Sequence, residues 1–135
     1  MMTANSGKAL LAAAQARLPR MVALVRQMVE MESPSFNKQA VDALGQMLAR
    51  EFAKRGAKVK LHRSQKFGDH LQADFGGRGR PVMLLGHFDT VYDVGTLASM
   101  PWKEQRGRLH GPGVLDMKTG IVQMQIGRAS CRERV

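Results

Sequence analysis

The chain has 135 residues, enough for one domain of ordinary size, and its apolar fraction of 44% and charged fraction of 24% exclude wholesale disorder. Its formal net charge of +10 suggests nucleic acid as a partner, but Lys and Arg are scattered and aromatic residues make up only 5%, too few to stack on bases. A single cysteine, Cys131, excludes an internal disulfide framework and a thiolate zinc site, and no apolar run is long enough to span a bilayer.

The amino-terminal residues bear on cellular location. Residues 1–7 are predicted to form a loose terminus. Lys8 precedes a short apolar stretch over residues 9–16 that resembles a signal peptide only weakly, because the stretch continues into a helical pattern. We therefore expect a cytoplasmic location, with the periplasm as the alternative.

Two amphipathic helices are predicted in the first half of the chain. Apolar residues recur at three- and four-residue steps over residues 18–32, and Pro34 ends that pattern because a residue before proline avoids the α region. Ser35 and Asn37 are candidate caps for a second helix, which Gly56 closes in a left-handed conformation. The predicted buried stripe of this second helix consists of Val41, Leu44, Leu48 and Phe52.

Beyond Gly56 the pattern changes from helical to alternating. Residues 58–62 and 71–75 are each predicted to form a half-exposed strand, and the glycine-rich residues 76–79 a turn. Residues 81–86 form a continuous apolar run, which is typical of a strand buried on both faces. The predicted fold class is therefore α/β, with layers of helices on a sheet.

The first candidate site follows this apolar run in the segment Gly86-His87-Phe88-Asp89-Thr90. Side chains alternate along a strand, so His87 and Asp89 are expected on one side and Phe88 in the core. A histidine can coordinate a metal through one ring nitrogen while a carboxylate accepts a hydrogen bond from the other. On its own, however, this short pattern fits a structural His–Asp pair better than a metal site.

A second candidate cluster lies in residues 110–120 around Asp116. Glycines on its amino-terminal side allow backbone to approach a bound group closely, and the helical pattern of residues 121–125 follows. A carboxylate has two oxygens and can bridge two cations. The alternative is that Asp116 caps the helix that follows it.

Taken together, the two clusters resemble the signatures of the M20 family of metallopeptidases, which includes glutamate carboxypeptidases, acetylornithine deacetylases and succinyl-diaminopimelate desuccinylases. Residues 84–91 resemble the first signature and residues 111–120 the second, except that Thr119 stands where the family usually has glycine. The resemblance implies that residues 1–125 are the amino-terminal portion of a three-layer α/β/α zinc-peptidase domain with a mixed sheet.

The resemblance also implies roles for individual residues. His87 is expected to bind one metal ion, Asp116 to bridge two, and Asp89 to serve in catalysis by orienting His87. Lys118 is expected to position the motif rather than bind metal. The ions would be two Zn²⁺, with Co²⁺ or Mn²⁺ as alternatives, and they would activate a water molecule. The peptide bond between Asp116 and Met117 is expected to be cis.

The implied activity is amide hydrolysis by a glutamate carboxypeptidase-like exopeptidase, acting on small peptides as a homodimer without nucleic-acid or membrane partners. Two alternatives are an N-acyl amino acid deacylase, whose substrates would be N-acyl amino acids, and a non-enzymatic basic binding module. In the family, the general base and the remaining ligands come from a later Glu-Glu pair, a further acidic residue and a distal histidine. We therefore expect this chain alone to be inactive.

Residues 126–135 depart from the apolar period that precedes them. They resemble the in-frame translation of a short-read sequencing adapter, so we expect this segment to be an artefact rather than native sequence. Without its three arginines and one glutamate the net charge falls from +10 to +8, and Cys131 is lost as well. The basic charge is thus a weaker argument for a nucleic-acid partner than it first appears.

Overall fold

The computed structural model describes the backbone of residues 4–132 and the side chains of residues 7–126. The predicted α/β class is confirmed as three helices and two small antiparallel sheets. In chain order the elements are α1 (Ala4–Glu30), α2 (Lys38–Lys54), β1 (Lys58–His62), β2 (His70–Asp74), a 3-10 turn (Thr96–Ala98), β3 (Lys103–Gln105), β4 (Arg108–His110), a wide turn (Val114–Lys118) and α3 (Thr119–Arg132).

Helix α1 is longer than the apolar period predicts. It begins at Ala4, so the expectation of a loose terminus is wrong for residues 4–7, while residues 1–3 lie outside the described part of the chain. The alanine-rich residues 9–16 favour helix strongly enough to extend it, and Pro19 is accommodated inside. The helix ends at Glu30, shortly before Pro34, as predicted.

Helix α2 follows its predicted pattern closely. Asn37 is the N-cap, and its side chain accepts a hydrogen bond from the backbone N–H of Ala40. Gly56, just beyond the helix, has φ +84°, the left-handed conformation expected there. Three residues of the predicted stripe are buried and the fourth packs partly buried against the core: Val41, Leu44, Leu48 and Phe52.

The hydrophobic core lies between the three helices. Its fully or nearly buried side chains are Leu24, Val25, Met28, Val29, Leu44, Met47, Leu48, Ile121, Val122 and Ile126. Burying each such side chain contributes roughly 1.5–3 kcal/mol to folding. Because α3 packs on α1 through this core, the turn that carries Asp116 is held against the carboxyl end of α1.

The two sheets are hairpins of two strands each. Strands β1 and β2 pair antiparallel with Lys60 opposite Gln72, so the second predicted strand is confirmed with its start one residue earlier. This hairpin packs on α2. Strands β3 and β4 pair with Glu104 opposite Leu109. Among residues 4–132 no helix is both long and apolar enough to cross a membrane.

The strand predicted over residues 81–86 is wrong for this structure. These residues form no regular element, and Val82, Met83 and Leu85 are each more than four-fifths exposed. A strand buried on both faces needs neighbouring strands to satisfy its backbone and layers to cover its side chains. Within residues 4–132 this stretch gains only an isolated parallel bridge just after it, between Pro34 and Thr90, so the predicted mixed sheet is not assembled there.

Candidate metal centre

The structure brings the two predicted metal ligands together. The Nε2 atom of His87 lies 2.9 Å from Oδ1 of Asp116, although the residues are 29 positions apart in the chain. Both residues line an open cleft of about 490 Å³, together with Asp89 and Ser35. Residue spacing alone does not produce this approach, which depends on how each segment packs.

Close packing delivers His87 to the cleft. A Cβ added at Gly86 would lie 2.9 Å from Cδ1 of Ile121, which shows how closely this segment passes α3. On the opposite side the Phe88 ring packs against the core and lies 3.2 Å from the Cβ position of Gly45. The predicted alternation of side chains is therefore confirmed, even though residues 81–89 form no regular strand.

Asp116 lies in an irregular turn that turns its carboxylate toward His87. The turn begins after Gly113, which has φ +73°, and Asp116 itself has φ −118° and ψ 94°, outside the helical region. The peptide bond between Asp116 and Met117 is cis, as the family resemblance implies. The Asp116 side chain is 84% exposed, and its hydrogen bond to His87 replaces the helix-capping role considered as the alternative.

Asp89 lies on the other side of the His87 ring. Its Oδ1 is 3.3 Å from Nδ1 of His87, and its backbone carbonyl oxygen is 3.1 Å from the same nitrogen. Partial burial of the ring lowers the pKa of His87. Its hydrogen bonds to Asp116 and to the Asp89 carbonyl, together with the negative charges of both carboxylates, raise the pKa by more, so the net shift is upward. The ring is thus held between two acidic residues.

The residues at this position are suitable for a metal ion. An imidazole nitrogen and a carboxylate oxygen are ligands that zinc accepts, and a separation of 2.9 Å allows one ion to contact both. Zinc takes about four ligands, however. Among the side chains of residues 7–126, no group of three His, Cys, Asp or Glu residues is placed to hold an ion.

Lys118 fastens the Asp116 turn to helix α1. Its side chain is buried, and its Nζ donates to the backbone carbonyls of Met28 at 2.7 Å and Met31 at 3.1 Å. Burial lowers the pKa of Lys118 to about 8, while the charge of Glu32 acts in the opposite direction. These contacts agree with the positioning role expected for Lys118.

Glu32 and Ser35 make contacts that the sequence does not predict. The carboxylate of Glu32 accepts from the backbone N–H groups of Gly95 at 2.8 Å and Leu97 at 2.9 Å, and these hydrogen bonds lower its pKa. An acidic residue beside the negative carboxyl end of a helix is unfavourable unless other groups bind its carboxylate. The position of Glu32 just after α1 is therefore a signal in the sequence that this carboxylate has partners elsewhere. Ser35, expected to be a cap, instead donates its hydroxyl to Oδ2 of Asp89 at 2.6 Å.

The other histidines are less closely associated with the candidate ligands. His62 pairs with the side chain of Gln72 on the β1–β2 hairpin, and His70 is exposed at the start of β2. His110 ends β4 with its side chain exposed and lines the cleft. Asp93 and Glu104 are exposed.

Sequence comparison finds a family profile and curated proteins that resemble this chain. Residues 83–126 match the sequence profile described as Peptidase family M20/M25/M40. Carboxypeptidase G2 of Pseudomonas sp. (strain RS-16) is 30% identical over 105 residues, covering 76% of this chain and 25% of that protein. Acetylornithine deacetylase of Edwardsiella ictaluri (strain 93-146) is 34% identical over 113 residues, covering 76% of this chain and 29% of that protein.

The chain thus spans between a quarter and a third of the length of these curated relatives. The matched profile includes both signature segments and therefore His87, Asp89 and Asp116. By its motifs, its profile match and its relatives, the chain belongs to the M20 peptidase family, a group of peptidases and amidohydrolases.

Proposed function

We propose that this chain contributes to a metal-dependent amide hydrolase in which His87 and Asp116 bind zinc. The observation that supports this most directly is the 2.9 Å approach of His87 Nε2 to Asp116 Oδ1 across an open cleft. Each residue lies in its own signature segment, and the two segments meet only through packing. A structural His–Asp pair would have no need of such an exposed carboxylate.

The ions, Asp116 and Asp89 would have different roles in this hydrolase. The bound ions would supply Lewis acidity, which polarises the scissile carbonyl and lowers the pKa of a water molecule. Asp116 offers one oxygen on the side of His87, which leaves its other oxygen for a second ion. The backbone carbonyl of Asp89 lies 3.1 Å from Nδ1 of His87 and its carboxylate 3.3 Å from the same nitrogen, so Nε2 is directed away from Asp89 toward Asp116 and the cleft.

We propose a glutamate carboxypeptidase-like substrate, in which the cleaved amide lies next to a carboxylate-bearing residue. The form of the two motifs supports this choice, namely Gly111-Pro112-Gly113 and Thr90-Val91-Tyr92. An N-acyl amino acid deacylase is the second candidate, because one of the two relatives is named acetylornithine deacetylase. Parallel hydrolysis assays with an N-acylglutamate and an N-acetylated basic amino acid would separate the two.

The described residues supply two of the ligands that zinc requires. We propose that a Glu-Glu pair, a further acidic ligand and a distal histidine are encoded downstream, and that residues 126–135 replace native sequence. The family profile match ends at residue 126, the first residue of this segment. Sequencing the uninterrupted gene tests the proposal, and a native frame continuing through Cys131-Arg132 would contradict it.

Zinc binding by the chain itself tests the assignment of the ligands. We expect His87→Ala and Asp116→Ala each to abolish the binding seen by isothermal titration calorimetry, while hydrolysis by the chain stays near background. His62→Ala is the matched control, since it removes a histidine from the β1–β2 hairpin, outside the residues that line the cleft. Equal loss of zinc binding in the control would contradict the assignment.

A further inference from the structure

We infer that Ser35 is a positioning residue of the metal centre, acting through Asp89 on His87. This inference rests on the proposed function, because it assigns Ser35 a role toward the zinc that His87 would bind. The contacts form a chain from the Ser35 hydroxyl to the Asp89 carboxylate and from there to the His87 ring. Ser35 lies 54 positions from Asp89 in the sequence, between α1 and α2.

The two oxygens of Asp89 have separate partners. Oδ2 accepts from Oγ of Ser35 at 2.6 Å, a distance typical of a charge-assisted bond between a hydroxyl and a carboxylate. Oδ1 lies 3.3 Å from Nδ1 of His87. Holding Oδ2 therefore fixes the rotation of the carboxylate and keeps Oδ1 directed at the imidazole ring.

The hydroxyl of Ser35 is not what docks its segment. Backbone hydrogen bonds already do so, from Ser35 N–H to the Thr90 carbonyl at 3.0 Å and from Thr90 N–H to the Ser33 carbonyl at 2.8 Å. Ser33 adds its own hydroxyl, which donates to the Phe88 carbonyl at 2.8 Å. Although Oγ of Ser35 also lies 3.1 Å from the Thr90 carbonyl, its shorter bond goes to Asp89.

The segment that presents Ser35 is rigid. Pro34 stands between the two serines, and its ring fixes φ near −65°. Ser33 on its other side is fully buried. With its backbone held on both sides, Ser35 can restrain the Asp89 carboxylate with little loss of freedom of its own. The expected result is a His87 ring held in one orientation, with Nδ1 facing Asp89 and Nε2 facing Asp116 and the cleft.

Four variants of the 135-residue chain test this role. Ser35→Ala removes the hydroxyl, Ser35→Thr retains one, and Ser33→Ala removes a hydroxyl from the same segment without touching Asp89. His87→Ala identifies the His87 signals. The first measurement, on the metal-free chain, is long-range ¹H–¹⁵N NMR of the histidine rings, which reports the surroundings of Nδ1 and Nε2 of His87. The second is the zinc dissociation constant by calorimetry.

We expect Ser35→Ala to change the Nδ1 signal of His87, because Oδ1 of Asp89 is no longer held beside that nitrogen, and Ser35→Thr to restore the signal. Partners that orient a ligating histidine typically change metal affinity by 10–100-fold, and Ser35 acts one residue further out, so we expect zinc binding to weaken by about threefold to tenfold. Ser33→Ala should lower the melting temperature yet leave the ring signals and the zinc dissociation constant unchanged.

The outcomes distinguish this inference from the proposed function. If Ser35→Ala leaves the His87 ring signals as they are, or if Ser33→Ala changes them equally, the positioning role of Ser35 is wrong. If the unaltered chain shows no zinc binding that depends on His87, the proposed function fails instead, while the metal-free ring signals still decide whether Ser35 orients His87 through Asp89.

Discussion

Gly113 opens the turn that carries Asp116, and it leaves no room for a side chain. Its φ is +73°, and a Cβ built there would lie 2.6 Å from Cγ2 of Thr90 and 3.3 Å from Cε of Lys118. Thr90 is buried and β-branched, so its methyl group has little freedom to move aside. We therefore predict that Gly113→Ala destabilises the fold and displaces Asp116.

Gly107 provides a matched control for the magnitude. Its φ is +72°, almost the same, but no atom lies within 4 Å of its Cβ position. A left-handed conformation costs an alanine roughly 1–2 kcal/mol in either case. Overpacking adds about 1–3 kcal/mol at Gly113 only. The stiffening of the unfolded chain by alanine is common to both variants and cancels in the difference.

Urea unfolding followed by circular dichroism measures this difference. Gly113→Ala should lower the free energy of unfolding by about 1–3 kcal/mol more than Gly107→Ala does. It should also weaken zinc binding, whereas Gly107→Ala should not. Equal destabilisation by the two variants would show that the close approach of Gly113 to Thr90 is not maintained in solution, and the packing account of the Asp116 turn would be wrong.

Three further predictions concern the scaffold. Hydrogen bonding from Lys38 lowers the pKa of Asp69 from 3.8 to about 2. The ionised Asp69 carboxylate therefore stabilises the fold fully above pH 3.8, and this stabilisation is lost as the pH falls through about 2. The free energy of unfolding measured against pH should show this loss, and Asp69→Asn should abolish the pH dependence. Asn37→Ala should cost about 1 kcal/mol in urea unfolding, because it removes the N-cap of α2. Leu44→Ala should cost about 2–5 kcal/mol by the same assay, since Leu44 is fully buried; a cost below 1 kcal/mol would contradict the core described above.

Local sequence rules predicted the helices and the motif residues well. Asn37 caps α2 and Gly56 follows it in the left-handed region because these preferences depend on a few neighbouring residues. His87 and Asp116 were recognised because each lies in a motif whose spacing is local. Their approach to 2.9 Å was implied by the family resemblance, and neither motif alone would have predicted it.

Features that depend on distant partners were missed or predicted wrongly. The apolar run at residues 81–86 predicts burial, but burial needs neighbouring strands that residues 4–132 do not form around it. Ser35 was interpreted as a cap because its bond to Asp89 spans 54 residues and leaves no periodic signal. Glu32 is a similar case, since its partners Gly95 and Leu97 lie in another segment of the chain.

The most direct test of the metal centre is zinc anomalous diffraction from crystals of the protein grown with zinc. The account predicts an anomalous peak about 2.0–2.2 Å from Nε2 of His87 and from a carboxylate oxygen of Asp116. A second anomalous peak is expected at the same distance from the other carboxylate oxygen of Asp116. Zinc bound elsewhere, with His87 and Asp116 still hydrogen-bonded to each other, would contradict the account.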